Sequence, residues 1–214
     1  MEMSLVRPTH VFLFRKNYQL AKRIMDIILC LCALPIVVPV VTLCGLLIWL
    51  DDPGPIFFRQ LRTGKGGRRF RMFKLRTMAT NAEELKLKYA HLNELTWPDF
   101  KITDDPRVTR VGRFLRKTSL DELPQIFNIL KGDMSWVGPR PTSFDVSTYS
   151  LWHTERLEVL PGLTGLWQVS GRSDLDFDDR LRLDVEYIEQ QSLWLDIRIL
   201  IHTVTAIFSQ RGAY

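Results

Sequence analysis

The sequence is poor in sulfur and histidine, with three cysteines, Cys30, Cys32 and Cys44, and four histidines in 214 residues. All three cysteines fall inside one apolar run with no paired Cys or His nearby. That excludes a zinc site and a disulfide framework, and it leaves them as small hydrophobes of a reducing, cytosol-facing protein. His91, His153 and His202 have no ligand spacing. Internal repeats and low-complexity tracts are missing, and 214 residues are too few for two large domains, so one globular unit with an appendage is expected. The glycine-rich "TGKGG" lacks the spacing and the Lys-Ser/Thr ending of a phosphate-binding P-loop and reads as a turn. An acidic excess is lacking too: 29 Lys and Arg against 24 Asp and Glu give a net charge of +5. A polyanionic partner follows, whether nucleic acid, phospholipid headgroups or a phosphorylated small molecule.

What the sequence does have is a long apolar run. From Ile27 to Leu50 there is no charged residue, and at about 1.5 Å per helical residue the run reaches roughly 36 Å, enough for a bilayer core of about 30 Å. It is too long, too far from the start and too poor in small residues at its end for a signal peptide. Pro35 and Pro39 lie mid-run, where each removes a backbone donor and clashes with the preceding turn, so a bend is expected there. Basic clusters flank both ends: Arg15, Lys16, Lys22 and Arg23 before it, and Arg59, Arg62, Lys65, Arg68, Arg69, Arg71, Lys74 and Arg76 after it. Positive charge stays on the cytoplasmic side, so both ends favour the same side. A helix–break–helix hairpin dipping into one leaflet satisfies this; a kinked single span is the alternative.

Beyond the run, "DPGP" and "GKGG" mark turns, and "IFFRQLR" and "RFRMFKLR" alternate apolar and basic residues, which predicts a β-hairpin with one cationic face. "TNAEELKLKYAHL" reads as a solvated helix begun by Thr80 or Asn81. Arg107, Arg110, Arg113 and Arg116 step by three along a helical face that suits solvent and lipid headgroups. "VGPRP" and "PGLTGLWQVSGR" read as rigid loops. "DFDDRLRLDVEYIEQQ" and "SLWLDIRILIHTVTAIFSQ" read as two more helices, the last with an apolar face that fits the membrane interface or the core. Trp136, Trp167 and Trp194 read as core or interface anchors.

Within "TSLDELPQ" the adjacent carboxylates Asp121 and Glu122 admit two readings. Ser119 with Glu122 spells a capping box, but a helix starting there would carry Pro124 where its missing donor is no longer tolerated. With Asp121 as N-cap, Pro124 becomes the third helical residue and the pair sits at the positive end of a helix, where phosphate also binds. Arginines from the hairpin, from the preceding helix and from "VGPRP" converge on that region, and arginine grips phosphate through two parallel hydrogen bonds. Paired carboxylates among cations suit a covalent phosphoryl intermediate assisted by a hard divalent ion, for which magnesium is the natural candidate.

"SLDELPQIFNILKGDMSWVGPRP", with "LDDPGPIFFRQ", "FKLRTM" and "PGLTGLWQVSGR" in this order, resembles the monotopic polyprenyl-phosphate phosphoglycosyl transferases, bacterial sugar transferases, over nearly the whole chain from Lys22. The resemblance implies an α+β, mostly helical, monotopic membrane protein. Its parts would be a basic segment and re-entrant helix in residues 1–50, and a cytosolic catalytic domain with a small basic β-hairpin in 51–214. It implies transfer of a sugar 1-phosphate from a UDP-sugar to undecaprenyl phosphate with release of UMP, at the cytoplasmic face of the bacterial inner membrane. Asp121 would be the nucleophile and a ligand of Mg2+, Glu122 its partner, and Lys74, Arg76, Gly138, Pro139, Arg140 and Pro141 would hold phosphate. Arg172, after Gly171, reads either as a contact of the nucleotide diphosphate or as a loop brace. Large members carry further N-terminal helices and a further domain; this chain corresponds to the catalytic unit. Where some relatives have Ser-Pro at the helix break, this chain has Val38-Pro39. "GLWQVSGR" and the terminal "GAY" resemble members that use UDP-hexoses. A membrane-tethered nucleic-acid-binding protein or a non-enzymatic scaffold would share the charge but leaves the carboxylates and ordered loops without a use. Nucleic acid is therefore not expected as a partner, and a homo-oligomer is left open.

Overall fold

The computed structural model describes residues 12–94, 102–145, 151–170 and 177–208. It is mostly helical, with two small sheets. Helix α1 runs from Phe12 to Asp51 with Pro35 and Pro39 inside it, and its backbone stays helical through both prolines. At about 1.5 Å per residue such a helix is roughly 60 Å long. Asp26, Cys30, Val37, Val41, Cys44 and Ile48 are buried, at intervals of three, four and seven that trace one stripe. Ile24, Ile28, Leu31, Ile36, Leu43, Leu46 and Leu50 on its other faces are exposed.

Strands β1 (Phe57–Thr63) and β2 (Arg69–Leu75) pair antiparallel, with Phe57 opposite Leu75 and Thr63 opposite Arg69. The turn between them uses Gly66 and Gly67 at φ 62° and 77°, which a side chain would strain. A single cationic face does not result. Side chains alternate along a strand, so Arg59 and Arg71 share a face with Phe73, over which Arg59 stacks at 5.6 Å, while Arg62 and Lys74 share the other.

Helix α2 covers only Glu84–Lys88, shorter than expected and without Thr80 or Asn81 as its cap. Helices α3 (Arg110–Thr118) and α4 (Gln125–Lys131) follow, then β3 (Ser135–Val137). A 3₁₀ segment spans Leu151–Glu158 and leads to β4 (Gly162–Thr164), α5 (Leu166–Ser170), α6 (Phe177–Glu189) and α7 (Leu193–Phe208). Strands β3 and β4 form a parallel pair; β4 and α5 fall inside the second segment expected to be a loop, and β3 ends at Val137, the first residue of the other.

The main core joins the buried stripe of α1 to Phe70, Met72 and Leu75 of β2, Leu115 of α3, Ile126 and Ile129 of α4, and Met134. A smaller core holds Val137, Tyr187, Ile188 and Ile199. Polar ties fix α1 at both ends. Near its start Lys22 lies 2.8 Å from the buried Asp196 of α7, which also accepts from Tyr18 (2.8 Å) and Tyr187 (2.7 Å). Arg23 donates to the last carbonyls of α4, Ile129 (2.5 Å) and Leu130 (2.7 Å), as a cation at a helix C-terminus should. At its far end Asp51 accepts from the Val111 amide at the start of α3 (3.0 Å).

Candidate active site

The carboxylate pair sits in the link between α3 and α4. Ser119 ends α3 in the left-handed conformation at φ 57°, Leu120–Glu122 form a 3₁₀ turn, and Pro124 caps α4. Neither expected cap is made: the Ser119 hydroxyl accepts no capping bond from a backbone amide, and Asp121 lies one turn ahead of α4. Pro124 is the reason. Lacking an amide hydrogen, it cannot continue the ladder, so the chain closes short i+3 bonds, Glu122 to Ser119 and Leu123 to Leu120, before α4 begins.

That turn presents two neighbouring acids to different surroundings. Glu122 is gripped from both sides. Lys74 Nζ lies 2.7 Å from its Oε1, and Arg140 reaches both oxygens, Nη2 to Oε1 at 2.5 Å and Nη1 to Oε2 at 3.3 Å. Burial disfavours its charge, but Arg140 and Lys74 outweigh that and hold Glu122 far below the usual carboxylate range. Asp121, 7% exposed, accepts no side-chain hydrogen bond among the described residues, and its closest cation is Lys74 at 3.9 Å. Burial pushes its pKa up, with Lys74, Arg116 and Arg140 pulling down and Glu122 adding to the rise. One acid is therefore locked as an anion, and the other keeps its lone pairs free.

Both line a cleft of about 1610 Å3. Its lining includes the cations Lys74, Arg116, Arg140 and Arg156 together with the apolar Leu29 and Ala33 of α1 and Leu200 and Val204 of α7. Of the expected phosphate loop, Arg140 and Pro141 border the cleft, Pro139 faces a small cavity behind it, and Gly138 lines neither. Gly138 donates to Thr164 O (2.9 Å), and a side chain there would strike the Leu160 carbonyl and the Gly162 amide, so the loop and β4 touch only because both glycines are bare. Pro139 O accepts from Gly162 N (2.9 Å) and Pro141 O from Arg62 (3.3 Å). Within the loop, Arg140 alone turns a charged group on the carboxylates.

Arg76 lines the cleft but is committed elsewhere: both its terminal nitrogens hold Asp52, with Nη1 at 2.8 Å from Oδ2. Arg172 lies outside the described residues. The expected four-arginine stripe is not one face. Arg107 precedes α3 and is buried on Asp105 (2.6 Å), Arg110 and Arg113 are exposed, and Arg116 turns inward, donating to Thr77 Oγ1 at 2.9 Å beside Asp121. A break in the i+3 series at the N-cap Thr109 is the signal that separates Arg107 from the rest.

Among the described residues no three His, Cys, Asp or Glu side chains gather as a metal cage. A divalent ion here would rely on Asp121, water and the oxygens of a bound diphosphate. That donor set fits magnesium, which keeps several waters and takes one or two carboxylates plus substrate phosphate.

The bacterial sugar transferase family model matches residues 17–210. The chain is 43% identical over 208 residues to the galactosyl transferase CpsE of Streptococcus agalactiae, covering 94% of this chain and 45% of that protein. It is 42% identical over 229 residues to the undecaprenyl-phosphate galactose phosphotransferase of Salmonella typhimurium, covering 100% and 47%. It is 40% identical over 210 residues to the UDP-glucose:undecaprenyl-phosphate glucose-1-phosphate transferase of Xanthomonas campestris pv. campestris, covering 94% and 41%. The chain thus spans about half the length of these relatives or less. With the match running through α1, the carboxylate turn and the Gly138–Pro141 loop alike, the chain belongs to the bacterial sugar transferase family.

Proposed function

We propose that this chain transfers a hexose 1-phosphate from a UDP-sugar to undecaprenyl phosphate, releasing UMP, through a phosphosugar ester of Asp121. The names of its relatives support the donor, the acceptor and the transferred group. The observation that carries the residue roles is the asymmetry of the pair: Glu122 is fixed by Lys74 and Arg140, while Asp121 faces the same cleft without a hydrogen-bond partner among the described side chains.

In the first step a carboxylate oxygen of Asp121 attacks the sugar-bearing phosphorus, the bond from that phosphorus to the bridging oxygen breaks, and UMP leaves with the electron pair. In the second step a phosphate oxygen of the acceptor attacks the same phosphorus and Asp121 is released. Negative charge grows on the phosphoryl oxygens in both, and Lys74, Arg116 and Arg140 supply fixed positive charge around them. When bound at Asp121, magnesium adds charge neutralisation of the diphosphate and of the leaving phosphate. Glu122 keeps Lys74 and Arg140 in register and offsets their mutual repulsion.

The acceptor is an amphiphile, and the cleft has both kinds of lining. Its cationic residues suit the phosphate, and its apolar residues from α1 and α7 suit the first isoprene units. The exposed apolar residues of α1 and the anchoring of both its ends to one body support a helix that enters and leaves the membrane on the same face, with the body on the cytoplasmic side.

A panel of UDP-sugars with undecaprenyl phosphate and magnesium, read by UMP release, tests the activity. At least one UDP-hexose is expected to turn over, and Asp121→Asn is expected to abolish both turnover and the acid-stable label that a donor labelled at the sugar-bearing phosphate leaves on the protein. Full turnover by Asp121→Asn would remove the nucleophile assignment.

A further inference from the structure

Successive carbonyls from Pro139 to Thr142 secure the Gly138–Pro141 loop and the residue after it. Pro139 O is held by Gly162 N, Pro141 O by Arg62 and Thr142 O by Thr63 N (3.0 Å). The carbonyl of Arg140 itself takes its hydrogen bond from Nη2 of Arg156, at 2.6 Å. Arg156 belongs to the 3₁₀ segment 151–158, is 7% exposed and borders both the cleft and a small cavity behind the loop. The same Nη2 lies 2.7 Å from Oδ2 of Asp184 on α6, close enough for charge attraction; its directed hydrogen bond is the one to Arg140. Asp184 is 1% exposed. A chain of contacts therefore runs from α6 through Asp184 and Arg156 to the Arg140 peptide, and from the Arg140 guanidinium to Glu122.

We infer that Arg156, backed by Asp184, is a positioning residue for the transferase reaction: it fixes the Arg140 peptide so that the Arg140 guanidinium meets Glu122 and the phosphoryl group. The inference rests on the activity proposed above. Two features separate it from ordinary packing. A guanidinium buried to this degree is a costly filler unless its direction matters. And what it holds is the one residue of the loop whose side chain reaches the carboxylates, so a loss of position here passes to the Glu122 pair through Arg140.

A double-mutant cycle reads that dependence. Arg156→Lys keeps the charge beside Asp184 but not the directed reach of the fork. Wild type, Arg156→Lys, Arg140→Ala and the double variant are compared by kcat, KM for the UDP-sugar and thermal unfolding in the same detergent. Arg156→Lys is expected to lower kcat about tenfold or more in the wild-type background and less than about twofold where Arg140 is already alanine, while its shift in Tm is the same in both. An equal loss of kcat in both backgrounds, or a loss that tracks Tm, overturns the inference. If wild type releases UMP from no UDP-sugar, the transferase proposal fails and the brace is decided by the structure of Arg156→Lys. A displaced Arg140–Glu122 pair upholds it, and an undisturbed pair overturns it.

Discussion

Asp184 shows how far a single buried charge can be from its ordinary chemistry. Burial raises its pKa from 3.8 to about 6, with Arg156 and Arg180 pulling the other way. Between those values the folded protein holds the carboxyl proton and the unfolded chain has lost it. Stability therefore falls as pH rises through that window and levels off above it. That rise corresponds to roughly 3 kcal/mol. Thermal unfolding of wild type and Asp184→Asn between pH 4 and 7 checks this. The wild type is expected to lose stability relative to the variant as pH rises, and parallel curves would show an ordinary carboxyl. At neutral pH the ionised form prevails, which is the form that pairs with Arg156.

Residues such as these mark where local sequence stops being informative. The carboxylate pair was legible because Asp121, Glu122 and Pro124 are neighbours, and so was Arg140, inside a compact Pro/Gly loop. Arg156 and Asp184 lie 28 positions apart with no pattern linking them, and Arg116 looked like one more member of a cationic stripe until the N-cap at Thr109 fixed which helical turn it occupies. Neither cap that the local sequence suggests forms at the pair, because two helices meet there and a 3₁₀ turn, not a longer α-helix, relieves the conflict with Pro124.

At the scale of elements, what the sequence hid is how they are joined. Strands β3 and β4 have three residues each and meet across a separation of 27, too short for any periodicity to announce. Another junction binds the hairpin to α4. The buried amide of Asn128 donates from Nδ2 to Arg71 O (2.8 Å) and accepts at Oδ1 from Phe73 N (2.9 Å), pairing with the edge of β2 as a third strand would. Lys74, the next residue, is thereby set opposite Glu122. Asn128→Ala leaves a buried donor and a buried acceptor unpaired, at about 1–3 kcal/mol each before relaxation. A lowered Tm is expected, together with a fall in kcat that Lys74→Met does not add to in full. Additive losses in the two variants would mean that Asn128 supports the fold without setting Lys74.

For the molecule as a whole the decisive fact is that α1 is tied down twice to the same body. Arg23 caps α4 and Asp51 caps α3, while α3 and α4 are joined only by the turn that carries the carboxylates. The exposed apolar side chains of α1 continue onto other elements, notably Phe114 of α3, Phe127 of α4, and Trp194, Ile197, Ile201 and Val204 of α7. The last four recur at steps of three and four and trace one stripe. An apolar surface of this extent is stable only against lipid or another protein. A helix crossing the bilayer would have to carry one of its anchors, and the charged body with it, to the far side. A helix dipping from the cytoplasmic face leaves both anchors in place and brings the cleft to headgroup depth. Single cysteines at Lys16 and Pro53, with Cys30, Cys32 and Cys44 replaced by alanine, distinguish the two. A membrane-impermeant maleimide is expected to label neither site in intact spheroplasts and both after lysis. Labelling of one site from outside would establish a span and overturn the dipping arrangement.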